Sequence, residues 1–320
     1  MRHIILLLFG ISYSLLLSAI ERTPPTVNLD SRYRVCTNDL PLGRGNFATV
    51  LKGACLQSGE HIAVKIIRLD GSDGADSDSN IVTIDDKAVT TAVSKVIAKK
   101  ASPGSRHGAL AEIQTLHLLK DPNIVKLLAA IRCQNIMFLV MDYAKGSTLA
   151  QIIFKGAVTE DWAKPIFSQI CSAVSYCHKN LVAHRDLKPH NFIVDDENMR
   201  IKVIDFGLSV IGIKAGKRCK AFTGTPIYCA LEVLVRRAYD PYLADVWSLG
   251  ITLYEMLTQE VPWDARNYDD FVASVAADPL DLPDELSAQA KSLIINMLSK
   301  VPKSRFDIEE VMNDGWCHNA

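Results

Sequence analysis

Three stretches of different rhythm make up the 320-residue chain. Ile4 to Ile20 is apolar almost without a break, behind Arg2 and His3, and ends in Ser18-Ala19 before Glu21-Arg22 and Pro24-Pro25. Past a Pro-rich link come short β-rich runs, Tyr33 to Val35, Asp39 to Leu42, Val50 to Cys55 and His61 to Leu69, separated by turn signals such as Ser58-Gly59. Runs of this length between turn formers predict antiparallel strands. Beyond Gly146 the apolar period lengthens, and helices are predicted over Glu160 to His178, Leu243 to Leu257 and Ser287 to Leu298. Sheet first and helices after predict an α+β chain of two lobes, with a cleft at the junction where ligand sites tend to lie.

Between the two patterns, Gly71 to Asp86 is rich in Gly, Ser and Asp and reads as a solvated loop. Val89, Ala92, Val93, Val96 and Ile97 then recur at helical spacing until Ser102-Pro103-Gly104, and a second helix is predicted from Arg106 to Lys120.

The leader has the three parts of a secretory signal peptide, with cleavage falling after Ala19. Its 17 residues also meet the lower limit of about 17 for a bilayer span. A cleaved signal, an uncleaved membrane anchor and a cytosolic segment all stay open. Composition changes the picture little: 48% hydrophobic and 22% charged residues are ordinary globular usage, and 35 basic against 36 acidic residues exclude a bulk nucleic-acid binder. Eight cysteines are scattered without metal-ligand spacing. Cys171 and Cys177 fall in one predicted helix about 120° apart and do not bridge within it. Mostly free thiols suit a reducing compartment, which pulls against the secretory reading.

Candidate chemistry sits in the predicted cleft. Gly43-Arg44-Gly45-Asn46-Phe47-Ala48-Thr49-Val50 links two strands, and glycines there let backbone N–H groups approach a polyphosphate while Val50 covers an adenine face; alone, such a pair is more often just a turn. Lys65, in Ala63-Val64-Lys65, is a charge in an apolar strand and needs a partner, for which Glu112 on the second helix is the natural candidate. His184-Arg185-Asp186-Leu187-Lys188-Pro189-His190-Asn191 decides between these readings. Asp186 supplies a carboxylate to orient a hydroxyl nucleophile, Lys188 a cation near a transferring phosphoryl group, and Asn191 an amide oxygen for a metal ion. Asp205, in Asp205-Phe206-Gly207, offers the hard oxygens that suit Mg²⁺.

With these motifs, and with Gly224-Thr225-Pro226, Ala230-Leu231-Glu232 and Asp245-Val246-Trp247-Ser248-Leu249-Gly250, the chain resembles the eukaryotic protein kinases over residues 33–317. The resemblance implies a first lobe at 33–141, with an antiparallel five-stranded sheet, a regulatory helix and an insert at 71–104. A hinge at 142–145 and a mainly helical lobe at 146–317 would follow, behind the leader at 1–19 and a linker at 20–32. It implies ATP and Mg²⁺ as cofactors and protein substrates as partners. Leu42, Gly43, Arg44, Gly45, Asn46, Phe47, Ala48, Val50, Ala63 and Lys65 would line the nucleotide site, with backbone bonds from Asp142 and Ala144 and Met141 as gatekeeper. Asn191 and Asp205 would hold the metal, and Glu232 would pair with Arg305 beneath the activation segment. Lys188 with Thr225 resembles the serine/threonine pattern. The runs Gly156 to Asp161 and Ser172 to His178 resemble the calmodulin-dependent and AMP-activated group, with the testis-specific kinases as a near branch; no calmodulin-binding tail is expected after Trp316. A nucleotide-binding scaffold without phosphoryl transfer is the alternative.

Departures from the family pattern carry expectations of their own. Leu231 replaces a proline, yet Glu232 remains to pair. Thr148 and His190 stand where arginine-directed members carry glutamates, which predicts a weakened preference for upstream arginine. Ala221 occupies the usual activating phosphothreonine position, so Arg185 needs another partner, with phosphorylated Thr223 as one option and a loop that holds without phosphate as the other.

Overall fold

The computed structural model describes residues 26–29, 31–36, 40–44, 48–69, 82–83, 106–133, 136–214 and 217–318. The leader, Gly45-Asn46-Phe47, the helix predicted near 88–97 and the insert apart from Val82–Thr83 lie outside them.

Eight strands form one antiparallel sheet: β1 Thr26–Asn28, β2 Tyr33–Cys36, β3 Gly43–Arg44, β4 Ala48–Cys55, β5 His61–Arg68, β6 Val82–Thr83, β7 Leu127–Cys133 and β8 Ile136–Asp142. Their order is β1-β2-β4-β5-β8-β7-β6, with β3 paired on β4. β2, β4, β5, β8 and β7 are the five expected strands, and the other three add two or three residues each. β1 falls in the stretch read as a linker, where three residues are too few to show alternation; it pairs Thr26 with Cys36 and Asn28 with Arg34. The strand predicted at Asp39 to Leu42 is not formed over its described residues, 40–42, and pairing begins only where Leu42 N donates to Val50 O. Pro41 has no N–H to give a ladder, which pushes the strand on to Gly43–Arg44.

Alternation gives this sheet two apolar faces. Tyr33, Val35, Ile62, Val64, Ala129, Ile131 and Val140 form one small core, and Ile67, Leu69, Met137, Leu139 and Ala130 form the other with Ala109 and Ile113 of α1, Arg106–Leu118. The second lobe instead has a single continuous core. It is built on α2 Leu149–Lys155, α3 Glu160–Lys179, α4 Leu231–Leu234, α5 Pro241–Thr258, α6 Tyr268–Ala277, α7 Ala288–Met297, α8 Ile308–Asn313 and α9 Gly315–His318, with short strands β9 Ser147–Thr148, β10 Val182–Ala183, β11 Phe192–Asp195, β12 Arg200–Val203 and β13 Val210–Ile211.

Capping explains where these helices start. Thr159 accepts from Trp162 N ahead of Glu160 and Asp161, whose charges suit a helix N-terminus. Asp240 accepts from Tyr242 N with Pro241 in the first turn, so α5 begins two residues before the apolar pattern does. α5 is buried nearly all round and is the floor on which the segments holding Asp186 and Thr225 rest. Among the described residues no helix is long and apolar enough to cross a membrane.

Candidate active site

β5 carries the first charge into the cleft. Lys65 lies across from Val50 on β4 and Leu139 on β8, and Ala63 across from Met141, so Val50, Ala63, Lys65 and Met141 share a sheet face. α1 packs on that face, and Glu112 stands between Ala109 and Leu116 on its buried stripe, only 2% exposed. Such a carboxylate is costly unless paired. Lys65 Nζ donates to Glu112 Oε1 at 2.6 Å and Oε2 at 2.8 Å, and to Asp205 Oδ1 at 2.8 Å. Burial pushes the Glu112 carboxyl up, with Lys65 pulling it back. Burial works to lower the Lys65 ammonium, but the charges of Glu112 and Asp205 outweigh it and hold Lys65 above its ordinary range. Burial works to raise Asp205 as well, and Lys65 overcomes it and holds that carboxyl low. Lys65 and Asp205 therefore hold their charges at neutral pH, and the Lys65 ammonium between the two carboxylates is what offsets the burial of Glu112.

The segment around Asp186 is shaped from beneath by Asp245 of α5, which is 1% exposed. Its Oδ1 accepts from Arg185 N and its Oδ2 from His184 N, both at 2.8 Å, and His178 Nε2 lies 3.0 Å from Oδ2. These bonds hold Arg185 at φ 65°, a left-handed conformation uncommon outside glycine. Asp186 Oδ1 accepts from Thr225 N at 2.9 Å and Thr225 Oγ1 at 2.8 Å, and Lys188 Nζ lies 2.9 Å from Oδ2. Lys188 Nζ also donates to Thr225 Oγ1 at 2.6 Å. Asn191 Nδ2 donates to Asp186 O at 2.8 Å, which leaves the amide oxygen for a cation. Asp205 Oδ1 is taken by Lys65 and by Gly207 N at 3.2 Å, which leaves Oδ2. Two free hard oxygens fit Mg²⁺.

At the expected hinge, the Asp142 side chain is tied outward to Lys126 N at 2.6 Å and to Lys202 at 2.8 Å, and its N–H donates to Lys126 O at 3.0 Å, so of these groups only its carbonyl is left for a nucleotide. Leu42, Gly43, Arg44 and Ala48 lie on the β3–β4 edge, and Gly43 pairs with Val50. Ala144 follows β8.

Below the cleft, Arg305 donates to Glu232 Oε1 at 2.8 Å through Nη1 and to Oε2 at 3.1 Å through Nη2, and its guanidinium stacks on Trp247 at 4.9 Å. The pair thus survives Leu231. Gly224 has φ +105°, and a Cβ there would meet Arg185 O at 2.6 Å, where the activation segment crosses the Asp186 segment. Arg185 has found partners without a phosphate. Its Nε donates to Leu208 O at 2.8 Å, and its charge lies beside the Cys219 and Tyr239 side chains. Tyr239 OH donates to Ala221 O at 3.1 Å, and the backbones of Cys219 and Tyr239 bond both ways. Thr223 Oγ1 donates to Ala221 O at 3.3 Å.

Sequence reasoning did not single out Asp245 or Tyr239 as supports, nor the Thr115 Oγ1 to Ser209 Oγ contact at 2.8 Å that ties α1 to the activation segment. Asp245 sat in a quoted motif; for the hydroxyl pair no spacing signal exists.

Against known proteins, the protein kinase domain family matches residues 74–317. The chain belongs to the protein kinase family. That stretch holds Glu112, Asp186, Asn191, Asp205 and Arg305; Lys65 lies ahead of it, and the fold brings it to Glu112. The kinase is 34% identical over 277 residues to the CBL-interacting protein kinase 16 of Oryza sativa subsp. japonica, 86% of this chain and 55% of the relative. It is 37% identical over 224 residues to the probable serine/threonine-protein kinase MARK-A of Dictyostelium discoideum, 69% of this chain and 21% of the relative. With sperm motility kinase 2B of Mus musculus it shares 38% over 208 residues, 65% of this chain and 43% of the relative. The kinase thus spans from about a fifth to about half the length of these relatives. Nothing in these likenesses supports reading residues 1–19 as a secretory signal.

Proposed function

We propose that this kinase transfers the γ-phosphoryl group of ATP to serine or threonine hydroxyls of protein substrates. The observation that carries the reading is convergence: β5, α1, the Asp186 segment and the Asp205 segment bring Lys65, Glu112, Asp186, Lys188, Asn191 and Asp205 into one cleft, each charge paired with a group the chemistry requires. The names of the relatives support the serine/threonine class. Asn191 and Asp205 would hold Mg²⁺, which neutralises phosphate charge when bound. Glu112 sets Lys65 for the α- and β-phosphates. Asp186 orients the substrate hydroxyl and accepts its proton, and Lys188 places a cation beside the group in transfer. Thr225 already bridges Asp186 and Lys188 through its hydroxyl, so both are aligned before substrate arrives.

Substrate choice follows from two side chains. Thr148 caps α2, accepting from Gln151 N, and carries no charge. Burial, then the charge of Lys188, holds the His190 imidazole below its ordinary pKa, so it stands neutral at pH 7. Neither position offers an anion to arginine, and the kinase has a weakened preference for upstream arginine; a peptide array dominated by upstream arginine would overturn this.

The test of the reaction is transfer of labelled phosphate from ATP to a generic protein substrate by the full chain. Wild type should label serine and threonine, and Asp186→Asn should lose about 10² to 10⁴ of the rate while folding normally. A wild type that binds ATP yet transfers nothing would leave the scaffold reading standing.

A further inference from the structure

Basic side chains crowd the activation segment and the turn beyond α4. Over the whole chain 35 bases balance 36 acids, yet between Phe206 and Tyr239 six bases stand against a single acid, Glu232, which Arg305 holds. The six, Lys214, Lys217, Arg218, Lys220, Arg236 and Arg237, are all exposed, and among the described residues none of them is ion-paired. A charge run is ordinarily a solvated stretch that spreads its charges apart. Here the backbone gathers them instead. Tyr242 OH donates to Ile213 O at 2.7 Å and Lys217 N to Lys214 O at 3.0 Å, which fixes the entry to the run. An antiparallel bridge, with Cys219 N donating to Tyr239 O at 2.8 Å and Tyr239 N to Cys219 O at 2.9 Å, then brings the first four bases alongside the last two. Arg218 Nη1 reaches across it to Ala238 O at 3.4 Å. Arg236 has φ 55°, a left-handed conformation uncommon outside glycine, and its guanidinium lies over the Phe222 ring at 5.9 Å. Like charges held together in this way repel one another, and an anionic partner relieves that repulsion.

We propose that this patch is a substrate-recognition surface that takes aspartate and glutamate residues flanking the target serine or threonine. The inference rests on the phosphoryl transfer proposed above and gives that site its substrate class, a hydroxyl set among carboxylates. Position supports it. Thr225, whose N and Oγ1 donate to Asp186 Oδ1, comes five residues after Lys220, a span of at most about 17 Å for an extended chain. A protein whose hydroxyl reaches Asp186 therefore carries its flanking residues within reach of the patch. Chemistry supports it as well, because the guanidinium forks of Arg218 and Arg237 match the two oxygens of a carboxylate. Thr148 and His190 merely fail to attract arginine, whereas these six cations repel it. Phe222, the aromatic ring inside the patch, is occupied by Arg236 and, edge-on at 6.2 Å, by Tyr268 rather than held open for a stacked base, so the surface suits an acidic peptide better than a single-stranded nucleic acid.

The test uses two fluorescent peptides, a serine flanked on both sides by glutamates and the same sequence with glutamines in their place. Anisotropy with the full chain at low salt should show the glutamate peptide bound about tenfold more tightly, as several exposed ion pairs together allow. That preference should vanish near 1 M salt, where the screening length is about 3 Å. Transfer from ATP should follow the same order, with kcat/KM about tenfold higher for the glutamate peptide. In the triple variant Lys217→Gln, Arg218→Gln, Arg237→Gln both ratios should fall to within about twofold of one. Equal binding of the two peptides by wild type, a preference that persists at high salt, or a triple variant with the wild-type ratio would each overturn the assignment. A variant that loses binding to phosphatidylserine vesicles while its peptide ratio stays unchanged would overturn it in favour of a membrane. The wild-type peptide pair and its salt dependence decide even if the variant folds poorly. Anisotropy needs no turnover, so a chain that prefers the glutamate peptide yet labels neither fails the proposed reaction and keeps this surface, whereas one that binds and labels both alike fails this inference alone.

Discussion

A methyl group at position 207 would stand 3.1 Å from Asp205 Oδ1 and 3.3 Å from both Glu112 Oε2 and Lys65 Nζ. Glycine there lets the metal-side segment close on the ion pair, and Gly207→Ala forces that cluster apart by a few tenths of an ångström. Misplacement of this kind is costly to transfer and cheap to folding, so kcat/KM should fall about tenfold with Tm nearly unchanged, as steady-state kinetics and thermal melts would show. Single residues also set thiol reactivity. Hydrogen bonds from the Ser58 hydroxyl and from the Ser58 and Gln57 backbone lower the Cys55 thiol, while burial pushes Cys229, beside Thr223 O and Thr225 O, up to about 12. Because the thiolate is the reactive form, Cys55 should alkylate at least about a hundredfold faster than Cys229 at pH 8. Its rate should persist to lower pH, and mass spectrometry of the labelled chain measures both. The candidate-site side chains were legible at this scale because the chemistry proposed for them dictates both residue type and spacing: Asp186, Lys188, Asn191 and Asp205 lie in two short motifs. The Asp245 support was not legible, since it joins a carboxylate to backbone N–H groups some 60 positions away.

Elements were legible in proportion to their length. α3 was predicted from its period and begins at the predicted residue, whereas β1 and β3, at three and two residues, carry no alternation to read. Asp39 to Leu42 misled because its apolar residues suggest a strand while Pro41 denies the ladder a donor. One connection between elements is testable by its energetics. Arg305 is 4% exposed and joins α4 through Glu232 to α5 through Leu243 O at 3.0 Å. Arg305→Ala strands the Glu232 carboxylate and should cost about 3–5 kcal/mol in urea unfolding, while the Glu232→Gln, Arg305→Met double variant should cost less, because no charge is left unpaired.

For the whole molecule, the two-lobed plan followed from the order of sheet and helices, and the state of the activation segment did not. That segment is clasped by Tyr239 at the Ala221 carbonyl, where no phosphate can be carried, and by Arg185 at the Leu208 carbonyl. Phosphatase-treated protein should therefore keep most of its activity, within about twofold of untreated enzyme, in a direct kinase assay; an inert dephosphorylated enzyme would place control at Thr223.

The unequal cores have a consequence for how the molecule comes apart. One lobe shares its apolar residues between the two faces of a single sheet, whereas the other gathers them into one continuous mass around α5. Cooperative unfolding then has a natural seam at the hinge, and amide hydrogens of β4 and β5 exchange before those of α3 and α5. The cleft proposed for the nucleotide straddles that seam, so occupancy should slow exchange mainly on the sheet side, turning the weaker lobe into the one that reports binding.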